Sequence, residues 1–161
     1  IPIASCVLQA LHYMHAEGFV HKDLHAGNVH AAQQPDVMNP ESEPTWTYKV
    51  ADLGISRQEG AIDVMNTVMA DWMLPPERVN PVKFGTVGKR TDVYHVALLL
   101  LSVLRGYERD FSHQEILAGH PRIEAEGHPS KYGMALARAL RRRVSMRTES
   151  PMALWSDLMA A

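Results

Sequence analysis

Apolar positions Ile3, Val7, Leu8, Leu11 and Met14 recur at helical spacing, and Glu17-Gly18 ends the run, so the pattern predicts an opening helix. Phe19-Val20-His21 reads as a short extended piece, and residues 22–28 lack any period and read as a loop. Val29 to Ala32 and Thr45 to Ala51 read as two short strands, joined by the polar, proline-bearing stretch Gln33 to Pro44. From Asp52 to Glu77 the pattern is irregular. Thr91 then reads as the cap of a helix from Asp92 to Leu104, closed by Gly106. Its centre, Val96 to Leu101, is apolar on every side, which places it in the middle of the core. Ser112-His113-Gln114-Glu115 has the form of a capping box for a short helix to Ala118. Ser130 is expected to cap a helix to about Arg142, and Ser150-Pro151 to open a last one through Leu154, Trp155 and Leu158. The fold class is therefore mainly α, with one small β hairpin near the start.

Composition narrows this further. The 161 residues suit one domain, and no repeat or linker divides them. Apolar residues make up 46% and charged residues 21%, as in ordinary globular chains, which excludes disorder and low complexity. A net charge of −2 offers no basic field for nucleic acid or a membrane surface, so neither is an expected partner. Cys6 is the only cysteine and forms no intrachain disulfide, which fits a reducing, cytoplasmic compartment. No basic start or apolar leader opens the sequence, and its lack of an initiator Met suggests a piece of something longer.

The candidate chemistry sits on two loops. Residues 21–28 read His-Lys-Asp-Leu-His-Ala-Gly-Asn, and residues 52–54 read Asp-Leu-Gly directly after a strand. Asp23, Asn28 and Asp52 thus supply two carboxylates and a carboxamide at strand ends. Phosphoryl transfer uses such a set, with a carboxylate to orient a hydroxyl and oxygen ligands for Mg²⁺. Asp and Asn also favour ordinary turns, so the residues alone leave a structural reading open.

In its motifs the chain resembles the C-terminal lobe of a eukaryotic-type protein kinase. His21-Lys22-Asp23, with Asn28 five residues on, resembles the His-Arg-Asp catalytic loop. Asp52-Leu53-Gly54 resembles Asp-Phe-Gly, Pro75-Pro76-Glu77 resembles Ala-Pro-Glu, and Asp92-Val93-Tyr94 resembles the opening of the large central helix. Arg147 stands where the family places an arginine that pairs with the glutamate, here Glu77. The ordered set covers essentially the whole chain, 1–161, as one domain.

The resemblance implies roles. Asp23 would accept or orient the substrate hydroxyl proton, while Asn28 and Asp52 would ligate Mg²⁺ and through it ATP. Lys22 would face a phosphate on the activation segment, and His25 would reach the transferred phosphate. His21 and Leu53 would pack in a hydrophobic spine. Asp92 would hold the catalytic loop from below. Glu77 and Arg147 would be buried and paired, anchoring the activation segment.

The sequence also departs from the family. Its ten glycines contain no G-x-G-x-x-G, and no early strand carries the phosphate-pairing lysine, since Lys49 follows the catalytic loop. The N-terminal lobe is thus absent from the sequence. His25 replaces the usual Lys or Ala, Ala70 a threonine that touches the catalytic Asp, Met73 a frequent tyrosine, and His30 an apolar residue beneath adenine.

The expected function is a protein kinase catalytic lobe, serine/threonine class over tyrosine, acting on a protein substrate. Mg²⁺ and ATP would serve the parent enzyme, with weak or no binding by this chain alone. The alternative is a pseudokinase-like or truncated lobe that engages a partner protein. Self-association is expected through the face left open by the missing lobe.

Other features have plainer readings. His12, His15, His21, His25 and His30 crowd together, but a metal site would need a helical spacing that a loop does not give. Arg138, Arg141, Arg142, Arg143 and Arg147 read as a solvated face plus one structural arginine. Met65, Met69, Met73 and Met134 read as packing residues. Ser56 and Thr67 are candidate phosphorylation positions.

Overall fold

The computed structural model describes residues 2–53, 56–58 and 74–161. Gly54, Met65, Thr67, Met69, Ala70 and Met73 lie outside the described residues. Helix α1 (Pro2–Ala16) leads into β1 (Phe19–Val20), then a 3-10 turn (Ala26–Asn28) and the strands β2 (Val29–Gln34) and β3 (Thr45–Val50). Strand β4 is Arg57–Gln58, followed by the short helices α2 (Pro76–Val79) and α3 (Pro81–Phe84). Helices α4 (Lys89–Arg105), α5 (His113–Ala118), α6 (His120–Glu126), α7 (Gly133–Ala139) and α8 (Pro151–Met159) complete the chain. The architecture is mainly α, as its pattern predicts.

Strands β2 and β3 pair antiparallel from Val29↔Val50 to Gln34↔Thr45, which brings the chain after β3 back beside the start of β2. A second antiparallel pair, β1 with β4, matches Val20 to Arg57. Sequence patterning missed β4, because two residues carry no period.

Helix α4 is the core. Val93, Val96, Ala97 and Leu99 to Leu101 are buried, and they cluster with Val7, Leu8 and Leu11 of α1, Leu136 of α7, and Leu154 and Leu158 of α8. Each such leucine contributes about 1.5–3 kcal/mol by leaving water. Three helix boundaries differ from the sequence reading. Helix α4 begins at Lys89 after the N-cap Gly88, so Thr91 sits inside the first turn, where its hydroxyl accepts from the Gly88 N–H at 3.0 Å. Helix α7 begins at Gly133 and ends at Ala139, while Ser130 instead accepts from the Tyr132 N–H in a turn. Helix α6 was not foreseen. Its packing on α7 requires a bare Gly133, since a Cβ there would lie 2.4 Å from the Ala125 carbonyl oxygen.

The Ser112 capping box forms as expected, with the Glu115 carboxylate accepting from the Ser112 N–H and hydroxyl at 2.9 Å each. These bonds, first that from the backbone N–H, hold the Glu115 carboxyl down at about 2.

Glu77 and Arg147 are buried and meet bidentately, Nη1 to Oε1 at 2.7 Å and Nη2 to Oε2 at 2.5 Å. The remaining guanidinium hydrogens go to the carbonyls of Arg141, Arg142 and Arg90, so all five donors are used. Thr91 donates to Glu77 at 2.8 Å, and the guanidinium carbon lies 4.6 Å from the Tyr94 ring centre. Burial drives the Tyr94 phenol above its ordinary pKa, with Arg147 opposing and Glu77 adding to the rise. Other arginines of the basic cluster also serve structure. Arg141 donates to Met146, Arg142 to Leu117, and Arg138 pairs with Asp157.

Two outcomes follow. Glu77→Ala or Arg147→Ala leaves one buried charge unpaired and should cost about 3–5 kcal/mol in denaturant unfolding. Glu115 has a depressed folded-state pKa, so its capping contribution is full above the ordinary carboxyl value of 4.5 and is lost as pH falls through about 2. An NMR titration of Glu115 should show this midpoint, and Ser112→Ala should raise it.

Candidate active site

The site is built around the loop from His21 to Asn28. Asp92, on the first turns of α4, is fully buried and accepts three hydrogen bonds of 2.8 Å. The donors are the His21 N–H, the Lys22 N–H and the His15 ring. A buried carboxylate is tolerated only when its lone pairs are filled in this way. The loop backbone is therefore suspended from α4, the arrangement the motif implies. His15 was not singled out for this by sequence reading. Its signal was present, because Leu8, Leu11 and His15 share one helical face and the first two are core residues.

Lys22 takes a positive φ of 72°, which turns its N–H onto Asp92 Oδ1. A non-glycine residue in this region costs about 1–2 kcal/mol, offset here by a charge-assisted bond. The Lys22 side chain is buried, and its pKa is lowered first by desolvation and then by Arg57, with Asp92 opposing.

His21 is buried with both ring nitrogens used. Nδ1 accepts from the Asp23 N–H at 3.3 Å, and Nε2 donates to the Ala51 carbonyl at 3.1 Å. That second bond ties the loop to the end of β3. The Ala51 N–H in turn donates to the Asn28 carbonyl at 2.8 Å. Asp52, the next residue, is exposed and has a positive φ of 57°. Asn28 is buried, and its amide nitrogen donates to the Asp23 carbonyl at 2.8 Å and to Asp23 Oδ2 at 3.3 Å. Asp23 is partly exposed, with His25 Nε2 3.8 Å from the same Oδ2.

These bonds bring Asp23, His25 and Asn28 together, with Asp52 one residue beyond the Asn28–Ala51 bond. Leu53 is the exception. It is 57% exposed, so it does not pack into a spine with His21, because no described element covers it. His30 is exposed and pairs across the hairpin with Lys49. The histidines do not converge, since His15 and His21 spend their ring nitrogens on Asp92 and the backbone. Among the described residues no His, Cys, Asp and Glu group could hold a metal by itself. Asn28 and Asp52 are the oxygen-bearing residues that would hold Mg²⁺, an ion that accepts few protein ligands beside water and phosphate, and the Asn28 amide nitrogen is turned toward Asp23.

The fold and site define the class. The family model for the protein kinase domain matches residues 2–128, and the chain belongs to that family. The chain is 28% identical over 166 residues to the serine/threonine-protein kinase PknL of Mycobacterium tuberculosis, covering 96% of this chain and 38% of that protein. It is 26% identical over 125 residues to mitogen-activated protein kinase 12 of Danio rerio, covering 78% and 31%. The chain thus spans about two-fifths or less of the length of these curated relatives. No helix among the described residues is long and apolar enough to cross a membrane.

Asp92→Ala should free the loop. Amide exchange at His21 and Lys22 should speed up at least about tenfold, from the loss of about 1.5–3 kcal/mol per charge-assisted bond. His15→Ala, which leaves both amide bonds in place, should have the smaller effect.

Proposed function

We propose that the protein carrying this chain transfers the γ-phosphoryl group of ATP to a serine or threonine hydroxyl of a protein substrate. The observation that carries this is the single hydrogen-bonded cluster of Asp23, Asn28 and the Ala51-Asp52 turn, held by Asp92. The name of PknL, a serine/threonine-protein kinase, supports the serine/threonine class.

In this reading the substrate oxygen bonds to the γ-phosphorus as the bond to the bridging oxygen of ADP breaks, and the hydroxyl proton moves to Asp23 Oδ1. Asn28 restrains Asp23 through Oδ2 and offers its own oxygen to the cation. Asn28 and Asp52 would hold Mg²⁺, which neutralises phosphate charge when bound. Burial of Asn28 keeps water from competing for its amide. Lys22, whose pKa is lowered first by burial and then by the charge of Arg57, is the residue suited to a phosphate on the segment that follows β4. These 161 residues hold no G-x-G-x-x-G cover and no early strand lysine, so the chain by itself should bind Mg-ATP weakly and transfer no phosphate. A second reading, a non-catalytic module that docks a partner, draws on the exposed Leu53. The intact polar cluster supports catalysis over it.

Asp23→Asn in the full-length protein should lower transfer from labelled ATP by at least about 100-fold, with the circular dichroism spectrum and melting temperature little changed. An unchanged rate would remove Asp23 from the role of base.

A further inference from the structure

His25 stands where the motif usually has Lys or Ala, and its ring is tied into the loop. Its ring nitrogens have distinct neighbours. Nδ1 accepts from the Gly27 N–H at 3.1 Å, and Nε2 lies 3.8 Å from Asp23 Oδ2. A ring nitrogen that accepts from an N–H carries no proton, so the single proton of the neutral imidazole sits on Nε2. A doubly protonated ring would set an Nδ1–H against the Gly27 N–H, donor against donor.

We propose that His25 is a positioning residue for Asp23, held by Gly27 in the Nε2–H tautomer so that it donates toward Asp23 Oδ2. It does not act as a cation on the transferred phosphate. This inference rests on the phosphoryl-transfer reading of the same site.

Three observations support it. First, Asn28 Nδ2 approaches the same Oδ2 at 3.3 Å, so two donors address one oxygen of the carboxylate. Among the described residues Oδ1 takes no hydrogen bond, and it is the oxygen left for a substrate hydroxyl. Restraint of one oxygen orients the other, and misplacement by an ångström costs about 100-fold in rate. The 3.8 Å contact is just outside hydrogen-bond range, as such contacts often are before substrate arrives.

Second, Gly27 gives the ring its place. A Cβ on residue 27 would lie 2.8 Å from His25 Cε1 and 3.0 Å from Nδ1, so any larger residue would push the ring away. Third, the ring also lines an open cleft of about 410 Å³ with Leu99, Ser102 and Phe111. The residue that lies beside the Asp23 carboxylate is thus also part of the lining of an open cleft.

The test uses the full-length protein with ¹⁵N-labelled histidine, alongside steady-state kinetics. The ring spectrum of His25 should show an unprotonated Nδ1 and a protonated Nε2, and Gly27→Ala should abolish this single-tautomer signature. His25→Leu and Gly27→Ala should each lower kcat by about 10–100-fold, with KM for ATP changed less than about threefold. His25→Gln, which keeps an N–H donor, should recover most of the loss.

An Nδ1-protonated or doubly protonated ring at neutral pH would overturn the proposal. So would a His25→Leu defect confined to KM for ATP and restored by His25→Lys, the signature of a phosphate contact. An inactive Asp23→Asn beside a fully active His25→Leu would remove this role and leave the catalytic reading intact. A fully active Asp23→Asn, or no transfer by the wild-type protein, would overturn both.

Discussion

The fully buried carboxylate of Asp92 is the constraint on which the site depends. An ionised group taken out of water must fill its lone pairs, and this one has the His15 ring and the N–H groups of His21 and Lys22. Two of those donors belong to the loop that bears Asp23. The loop conformation, including the left-handed backbone at Lys22, is thus the form that satisfies Asp92. The third donor comes from α1, so one carboxylate fastens the opening helix, the loop and the central helix together.

The neighbouring residue makes the second connection. Thr91 donates to Glu77, which is paired bidentately with Arg147. Consecutive residues of α4 therefore tie down two different regions, Asp92 the loop of the candidate base and Thr91 the segment that enters α2. Both carboxylates lie at the N-terminal end of α4, where the helix dipole favours negative charge. The leucines further along the helix supply the hydrophobic anchor that keeps this end in place. The site is thus assembled from one end of one helix, and its outer parts, Asp52 and Leu53, are the exposed ones.

Much of this was legible in the sequence, and the reasons differ from part to part. The apolar run of α4 and the stripe of α1 have a period long enough to identify a helix. The Glu115 box could be expected from its local Ser-x-x-Glu pattern, and the Glu77–Arg147 pair from the order of the kinase-like motifs. Helix α6 and strand β4 are too short for a period to show. Thr91 reads as a cap because Thr is a common N-cap type, whereas the backbone uses Gly88 there and Thr91 answers it from inside the turn. The buried place of His15 shows in the helical face it shares with Leu8 and Leu11, but its partner Asp92 lies 77 residues away, and the role of Gly27 rests on an absent Cβ, which leaves no local pattern. Leu53 was expected in the interior from its motif position, yet burial depends on what covers a side chain, and no described residue does.

The central claim is that this chain carries the acidic half of a phosphoryl-transfer site, with Asp52 and Asn28 as its cation ligands. The most direct measurement is γ-phosphoryl transfer by the full-length protein and its Asp52→Asn variant across a Mg²⁺ titration. The account predicts Mg²⁺-dependent transfer by the wild type, and a loss of at least about 100-fold in the variant that added Mg²⁺ does not restore. Equal transfer by the two proteins would contradict it.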